Sequence, residues 1–174
     1  MIELIATKTG AGSDSDPHDT ASPLAVPALR GLRDSVINVL ATMAGMDAVH
    51  SRTGSVNGLI VAGPVSALIE LGGTHRGLVA VTMSESLIRR ILARLTGADP
   101  QDISRHELGD GIGELANMIA GGMKTRLDRE GMTLCMPLSI FGSDFKAYWN
   151  AEYATSVLDF EVEGDPMSVH CCLP

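Results

Sequence analysis

Glu114 and Asn117 stand three residues apart inside Asp110–Lys124, which reads D-G-I-G-E-L-A-N-M-I-A-G-G-M-K. In an α-helix that spacing puts both side chains on one face, one turn apart. A carboxylate can pair with a cation. A carboxamide has an acceptor oxygen and donor hydrogens and can hold a water molecule in place. Held together on an exposed helix, the two can grip a cation and position a water.

The helix that must carry them is legible from its periodicity. With Leu108 set at zero and about 100° per residue, Ile112, Leu115, Ile119 and Met123 fall within roughly 60° of it. Asp110, Glu114, Asn117, Gly121, Lys124 and Asp128 gather on the far side. One stripe therefore faces a core and the other faces solvent or a partner. Ser104 and Glu107 fit a capping box at the helix start, and Gly131 is a candidate C-cap, predicting a helix of about 25 residues. Gly113, Gly121 and Gly122 interrupt it, each at a cost of about 1 kcal/mol relative to alanine. Either another backbone approaches this face from a partner, or tight packing within the domain requires them.

The remaining elements follow from pattern. A first helix is expected over Pro27–Ala44, ended by Gly45. Strand-like runs are expected over Gly58–Gly63, Val65–Leu71 and Leu78–Met83. A second helix is expected over Glu85–Thr96, with Ser84 as N-cap and Gly97 as C-cap. Strands return over Met132–Phe141, Ala154–Val162 and Met167–Leu173. The first helix, from Leu32, aligns with the long helix, from Leu108, in its Leu, Asp, aliphatic, Ala and Gly positions. This points to an internal duplication in which Asn38 stands opposite Glu114 and Ala41 opposite Asn117. The first helix thus has the frame without the Glu/Asn pair.

With 174 residues, the chain is long enough for one domain with a sizeable core. A formal net charge of -8 and only 3% aromatic residues argue against a nucleic-acid partner. The three cysteines, Cys135, Cys171 and Cys172, do not form a secreted disulfide framework. No apolar run reaches the roughly 20 residues that span a bilayer, and the N-terminus lacks signal-peptide character. A cytoplasmic protein with no membrane association is expected. Residues 1–23 are expected to be a mobile tail, because 7–23 are rich in Thr, Gly, Ser, Asp and Pro. A single domain would occupy 24–174. His170-Cys171-Cys172 is read as a terminal strand rather than a metal site, since successive strand residues face opposite ways. Arg89, Arg90 and Arg94 are read as the wet face of the second helix.

The block Asp110, Glu114-Leu-Ala-Asn117, Ala120-Gly121 and Lys124 resembles the CheX branch of the CheC/CheX/FliY chemotaxis phosphatases. Met136-Pro137-Leu-Ser-Ile-Phe-Gly142 downstream is similar to the Pro-containing strand and Gly that follow in that family. Gly122 departs from the pattern, standing where relatives often have Asn. The resemblance implies an α/β (α+β) fold, with long amphipathic helices on an antiparallel or mixed sheet in one pseudo-duplicated domain. It also implies a hydrolase acting on the aspartyl phosphate of a CheY-like receiver domain. Asn117 would position the water and Glu114 would contact a receiver lysine. Asp110, Gly121 and Lys124 would line the partner contact. No metal or cofactor is expected on this chain, and Mg²⁺ is expected in the receiver's own acidic pocket. With Ala41 opposite Asn117, the chain looks like a one-site member. A homodimer is expected, partly by resemblance and partly because the C-terminal strands are read as edges needing partners. Two alternatives stay open: a non-catalytic module that binds a receiver or scaffold, and a small-molecule-binding domain whose long helix packs internally.

Overall fold

A computed structural model of the chain describes residues 2–6, 25–56, 59–61, 63–73, 76–127, 131–142, 145–149 and 154–173. Helix α1 spans Val26–Val39 and widens into a π-helical turn over Leu40–Ala44, closed by Gly45 in the left-handed conformation. Strands β2 (Ala48–Val56), β3 (Leu59–Val61), β4 (Val65–Gly73) and β5 (Gly77–Met83) follow. Helix α2 spans Glu85–Thr96, with the Ser84 hydroxyl accepting from the Leu87 amide at 3.1 Å and Gly97 left-handed at its end. Helix α3 spans Arg105–Leu127. After it come β6 (Met132–Leu134), β7 (Leu138–Phe141), β8 (Phe145–Trp149), β9 (Thr155–Val162) and β10 (Asp165–Cys172). A further strand, β1, covers Ile2–Ala6.

Seven strands form one antiparallel sheet in the order β2-β9-β10-β5-β4-β6, with β7 continuing the β6 edge along β4. The order is symmetric about the β5/β10 pair. In the first half, α1 leads to β2, β4 and β5; in the second, α3 leads to β6/β7, β9 and β10. Each half's first strand pairs with the other half's second strand: β2 with β9, and β6/β7 with β4. β3 and β8 correspond in the same way and pair with each other. The internal likeness of the two helices thus extends to the sheet.

The helices cover one face of the sheet. Leu108, Ile112, Leu115, Ile119 and Met123 of α3 are all buried there against Ala67, Ile69, Val79, Val81 and Val169. The opposite face carries a smaller cluster of Leu68, Leu78, Ala80 and Cys172, covered by Ala147 of β8. β8 belongs to a separate three-stranded sheet, β1-β8-β3.

Four expectations change. Residues 2–6, placed in the expected tail over 1–23, form β1 antiparallel to β8, as the apolar-rich Ile-Glu-Leu-Ile-Ala run allows. Residues 7–24 lie outside the described residues. The expected continuous strand over Met132–Phe141 is split: Cys135–Pro137 belong to no strand, although the Cys135 amide still donates to the Glu70 carbonyl of β4 at 2.9 Å, and Pro137 has no amide hydrogen to donate to a ladder. The C-terminal strands are not edges: β9 and β10 lie inside the sheet, whose edges are β2 and β6/β7. The arginines of α2 are also more than a wet face. Arg89 pairs with Glu85 at 2.7 Å and donates to the Ile103 carbonyl at 2.6 Å, while Arg94 pairs with Glu163 at 2.8 Å. Among the described residues, no helix is long and apolar enough to cross a membrane.

Candidate functional site

The site is set by how α3 is started and clamped. The capping box forms as the sequence predicts. The Ser104 amide donates to Glu107 Oε2 at 2.7 Å and the Glu107 amide donates to Ser104 Oγ at 3.3 Å. A hydrogen bond from the Ser104 hydroxyl to the exposed Glu107 carboxyl, and after it the one from the Ser104 backbone amide, hold that carboxyl below the usual carboxylate range. Arg105 lies over the Phe141 ring, 4.8 Å from its centroid. Ser139 Oγ donates to the Gly109 carbonyl at 2.6 Å, tying α3 to β7. On the other flank, Ser35 Oγ of α1 donates to the Ile119 carbonyl at 2.8 Å. Helix α3 is therefore gripped along both sides, and its outward stripe is left free.

Glu114 is exposed and Asn117 is half-buried. Neither side chain makes a hydrogen bond or ion pair among the described residues. A strong acceptor and a four-site amide therefore remain available to something outside the domain. Asp110 is exposed, pairs with His106 Nδ1 at 3.1 Å, and lines a cleft of about 440 Å³ between α2 and α3. Gly121 and Lys124 are half-buried on the same stripe, two turns further along. Asp128 lies outside the described residues.

The glycines divide into two kinds. A Cβ at Gly122 would strike Ser35 Oγ of α1, and one at Gly111 would strike Leu92 of α2. A Cβ at Gly113 would stand 3.1 Å from Pro137, tighter than most real contacts. Packing inside the domain explains these three. At Gly121 the nearest atom to a Cβ would be Leu134 Cδ1 at 3.8 Å, an ordinary contact. The fold itself leaves room for a side chain there.

The chain from β7 back to β6 runs along a row of α3 residues spaced by four. Phe141 and Ser139 lie at Gly109, Pro137 at Gly113, and Leu134 at Gly121. Asn117 is the position between Gly113 and Gly121, so the intervening Cys135–Met136 passes level with it. Asn117, which the sequence places on the stripe facing solvent or a partner, is half-buried beside that crossing chain. The periodicity of α3 gave no sign of this neighbour. The signal lay in the row Gly109, Gly113, Asn117, Gly121, where small residues admit a crossing chain.

The pseudo-equivalent position on α1 differs. Asn38 and Ala41 are exposed, but Ala41 lies in the π-helical turn and its methyl holds no water. His170 and Cys172 project to one face of β10 and Cys171 to the other, consistent with the strand reading of that triplet.

The fold is one shared with CheC-like and CheX chemotaxis proteins of known structure. The family model described as chemotaxis phosphatase CheX matches residues 65–161, more than half of the chain, and the chain belongs to that family. Among solved structures, a CheC-like superfamily protein from Shewanella sp. PV-4 is 26% identical, with a TM-score of 0.76 over 87% of this chain and 99% of that one. A putative chemotaxis protein from Desulfovibrio vulgaris Hildenborough is 24% identical, with a TM-score of 0.77 over 88% of this chain and all (100%) of that one. The CheX–CheY–BeF3–Mg²⁺ complex from Borrelia burgdorferi also shares the fold, at 18% identity and a TM-score of 0.65, covering 84% of this chain and 97% of that one. No match emerges among curated protein sequences.

Proposed function

We propose that this chain hydrolyses the aspartyl phosphate of a CheY-like receiver domain. The observation that carries the reading is the Glu114/Asn117 pair, one turn apart on the outward stripe of α3 and unpartnered among the described residues. Family membership supports it, and so does the existence of a complex between a fold relative and CheY.

The chemistry asks little of the protein. An acyl phosphate already has a good leaving group, so catalysis is mainly positioning and electrostatic stabilisation. The Asn117 carbonyl accepts a hydrogen bond from a water, while its amide can donate to a phosphoryl oxygen. The water oxygen attacks phosphorus as the bond to the aspartyl oxygen breaks. The aspartate leaves as a carboxylate, and the water's proton departs with inorganic phosphate. Glu114 pairs with a lysine beside the phosphorylated aspartate and fixes the register of the two proteins. Asp110, Gly121 and Lys124 border the contact. Mg²⁺ belongs in the receiver's own acidic pocket, where it neutralises phosphoryl charge.

The test follows the loss of phosphate from receivers of the same organism, with and without the protein in substoichiometric amount. Acceleration through many turnovers supports the reading. Tight binding with unchanged decay would make the chain a receiver-binding module instead.

A further inference from the structure

Exposed charges on the α3 stripe give orientation to a docked partner but little net affinity, because each leaves good solvation in water and is screened by salt. A receiver held only by Glu114, Lys124 and Asp110 would dissociate too readily to be selected among similar domains. An apolar contact beside the pair is needed. Among the described residues the exposed large apolar side chains are Val26, Met43, Val49, Met136 and Leu138. Val49 lies on β2, the sheet edge opposite β6/β7. Val26 and Met43 lie at the two ends of α1 and its π-helical turn. Met136 and Leu138 flank Pro137 on the link that crosses α3 level with Asn117, and Met136 is 90% exposed.

We infer that Met136, with Leu138 behind it, is the apolar anchor that seats the phosphorylated receiver on this protein and sets its specificity among receivers. The inference deepens the phosphatase reading and rests on it. Three features fit the role. The link is held at both ends, by the Cys135 amide donating to the Glu70 carbonyl at 2.9 Å and by Ser139 Oγ donating to the Gly109 carbonyl at 2.6 Å. Its position relative to Asn117 is therefore fixed before docking, which limits the entropy lost on binding. The thioether is flexible and polarizable, suited to filling an irregular apolar recess on a partner. The room left at Gly121, on the other side of Asn117, lets the partner's backbone come close without meeting a side chain.

The test measures steady-state hydrolysis of phosphorylated receivers from the same organism by wild type, Met136→Ser, Met136→Leu and Asn117→Ala, with melting and solution mass recorded for each. Burial of one large apolar side chain corresponds to about tenfold in affinity. Met136→Ser should raise KM for the preferred receiver about tenfold, leave kcat within about twofold, and leave melting unchanged. Met136→Leu should restore most of the KM. Asn117→Ala should lose kcat instead. An active wild type whose KM is unmoved by Met136→Ser overturns the anchor and spares the phosphatase reading. A drop from dimer to monomer in Met136→Ser, with KM unchanged, assigns the residue to a second copy of this chain and also overturns it. A wild type that speeds no receiver removes the phosphatase reading, and the anchor with it.

Discussion

Replacing Asn117 by alanine separates chemistry from folding more cleanly than any other change in this protein. The side chain is half-buried on the outer stripe and makes no hydrogen bond or ion pair among the described residues. Its removal leaves no buried group unsatisfied. Alanine is also the better helix former, by about 0.6 kcal/mol in a helix interior. Stability should therefore stay level or rise slightly. The rate should fall, because the water loses its positioning group. Loss of one such preorganised polar group costs about 10²-fold or more, or about 2.7 kcal/mol of barrier for the first 10². The assay is single-turnover loss of receiver phosphate at saturating protein, with thermal melting and receiver binding measured on the same preparation. The expected result is unchanged melting, near-normal binding and a rate close to that of the receiver alone. Full activity would remove the proposed mechanism. Retention of about half the wild-type rate would mean that the α1 face around Asn38 and Ala41 is itself a competent site, against the one-site reading.

Glu114→Ala should also lose activity, but mainly through weaker receiver binding, since its contact forms on docking; an effect on kcat alone would refute the register role. Lys124→Ala should matter less, changing the salt dependence of KM while kcat holds. Gly122→Ala should lower stability by about 1–3 kcal/mol through its clash with Ser35, whereas Gly121→Ala should gain up to about 1 kcal/mol from helix propensity and raise KM by crowding the partner. Equal melting of the two variants would contradict the packing described. Burial pushes the His170 imidazole down to about 4 from the usual 6.5, with the Asp159 carboxylate pulling weakly the other way. The neutral ring is the form the fold accepts, so the stability it supports is complete above pH 6.5 and is lost as pH falls towards 4, by about 3 kcal/mol in all. Denaturant melts across that range should show this loss, and His170→Leu should flatten it. A homodimer is also expected; a monomeric mass at working concentration would count against it and leave the catalytic claim untouched.

Helix α3 was readable in sequence because the constraints that start it and divide its faces are local. Capping by Ser104 and Glu107, the apolar stripe from Leu108 to Met123, and the one-turn spacing of Glu114 and Asn117 all follow from helical geometry. Helix α2, with its Ser84 and Gly97 caps, was readable for the same reason. What escaped the sequence is set by contacts across long separations. Cys135–Pro137 reads as the middle of a strand until α3 is known to lie beside it, so the half-burial of Asn117 has no local cause. Likewise β9 and β10 look like terminal, edge-like strands along the chain. They become interior because distant strands of the first half take their free sides: β2 pairs with β9, and β5 pairs with β10.

The pseudo-symmetry of the sheet gives the asymmetry of the site its meaning. Two helices with matching apolar frames lie on two equivalent half-sheets, yet their surroundings differ. Beside α3 the strand edge is broken by Pro137 into β6 and β7, and the freed link lies along a row of glycines that ends past Asn117. In the other half, β2 is a single strand with one irregularity between His50 and Arg52. There α1 ends in a π-helical turn at Ala41, where the residue matching Asn117 would stand. A π-helical turn adds a residue to the helical repeat, so restoring Asn at position 41 would not restore the one-turn register with Asn38 that the pair on α3 has. The double variant Asn38→Glu, Ala41→Asn should therefore fail to create a second site, even though it copies the sequence motif. Measured in an Asn117→Ala background, receiver dephosphorylation should stay at the receiver's own rate. Recovery of activity would show that the motif suffices without the crossing link and the regular helix, and would refute the argument that these position the water.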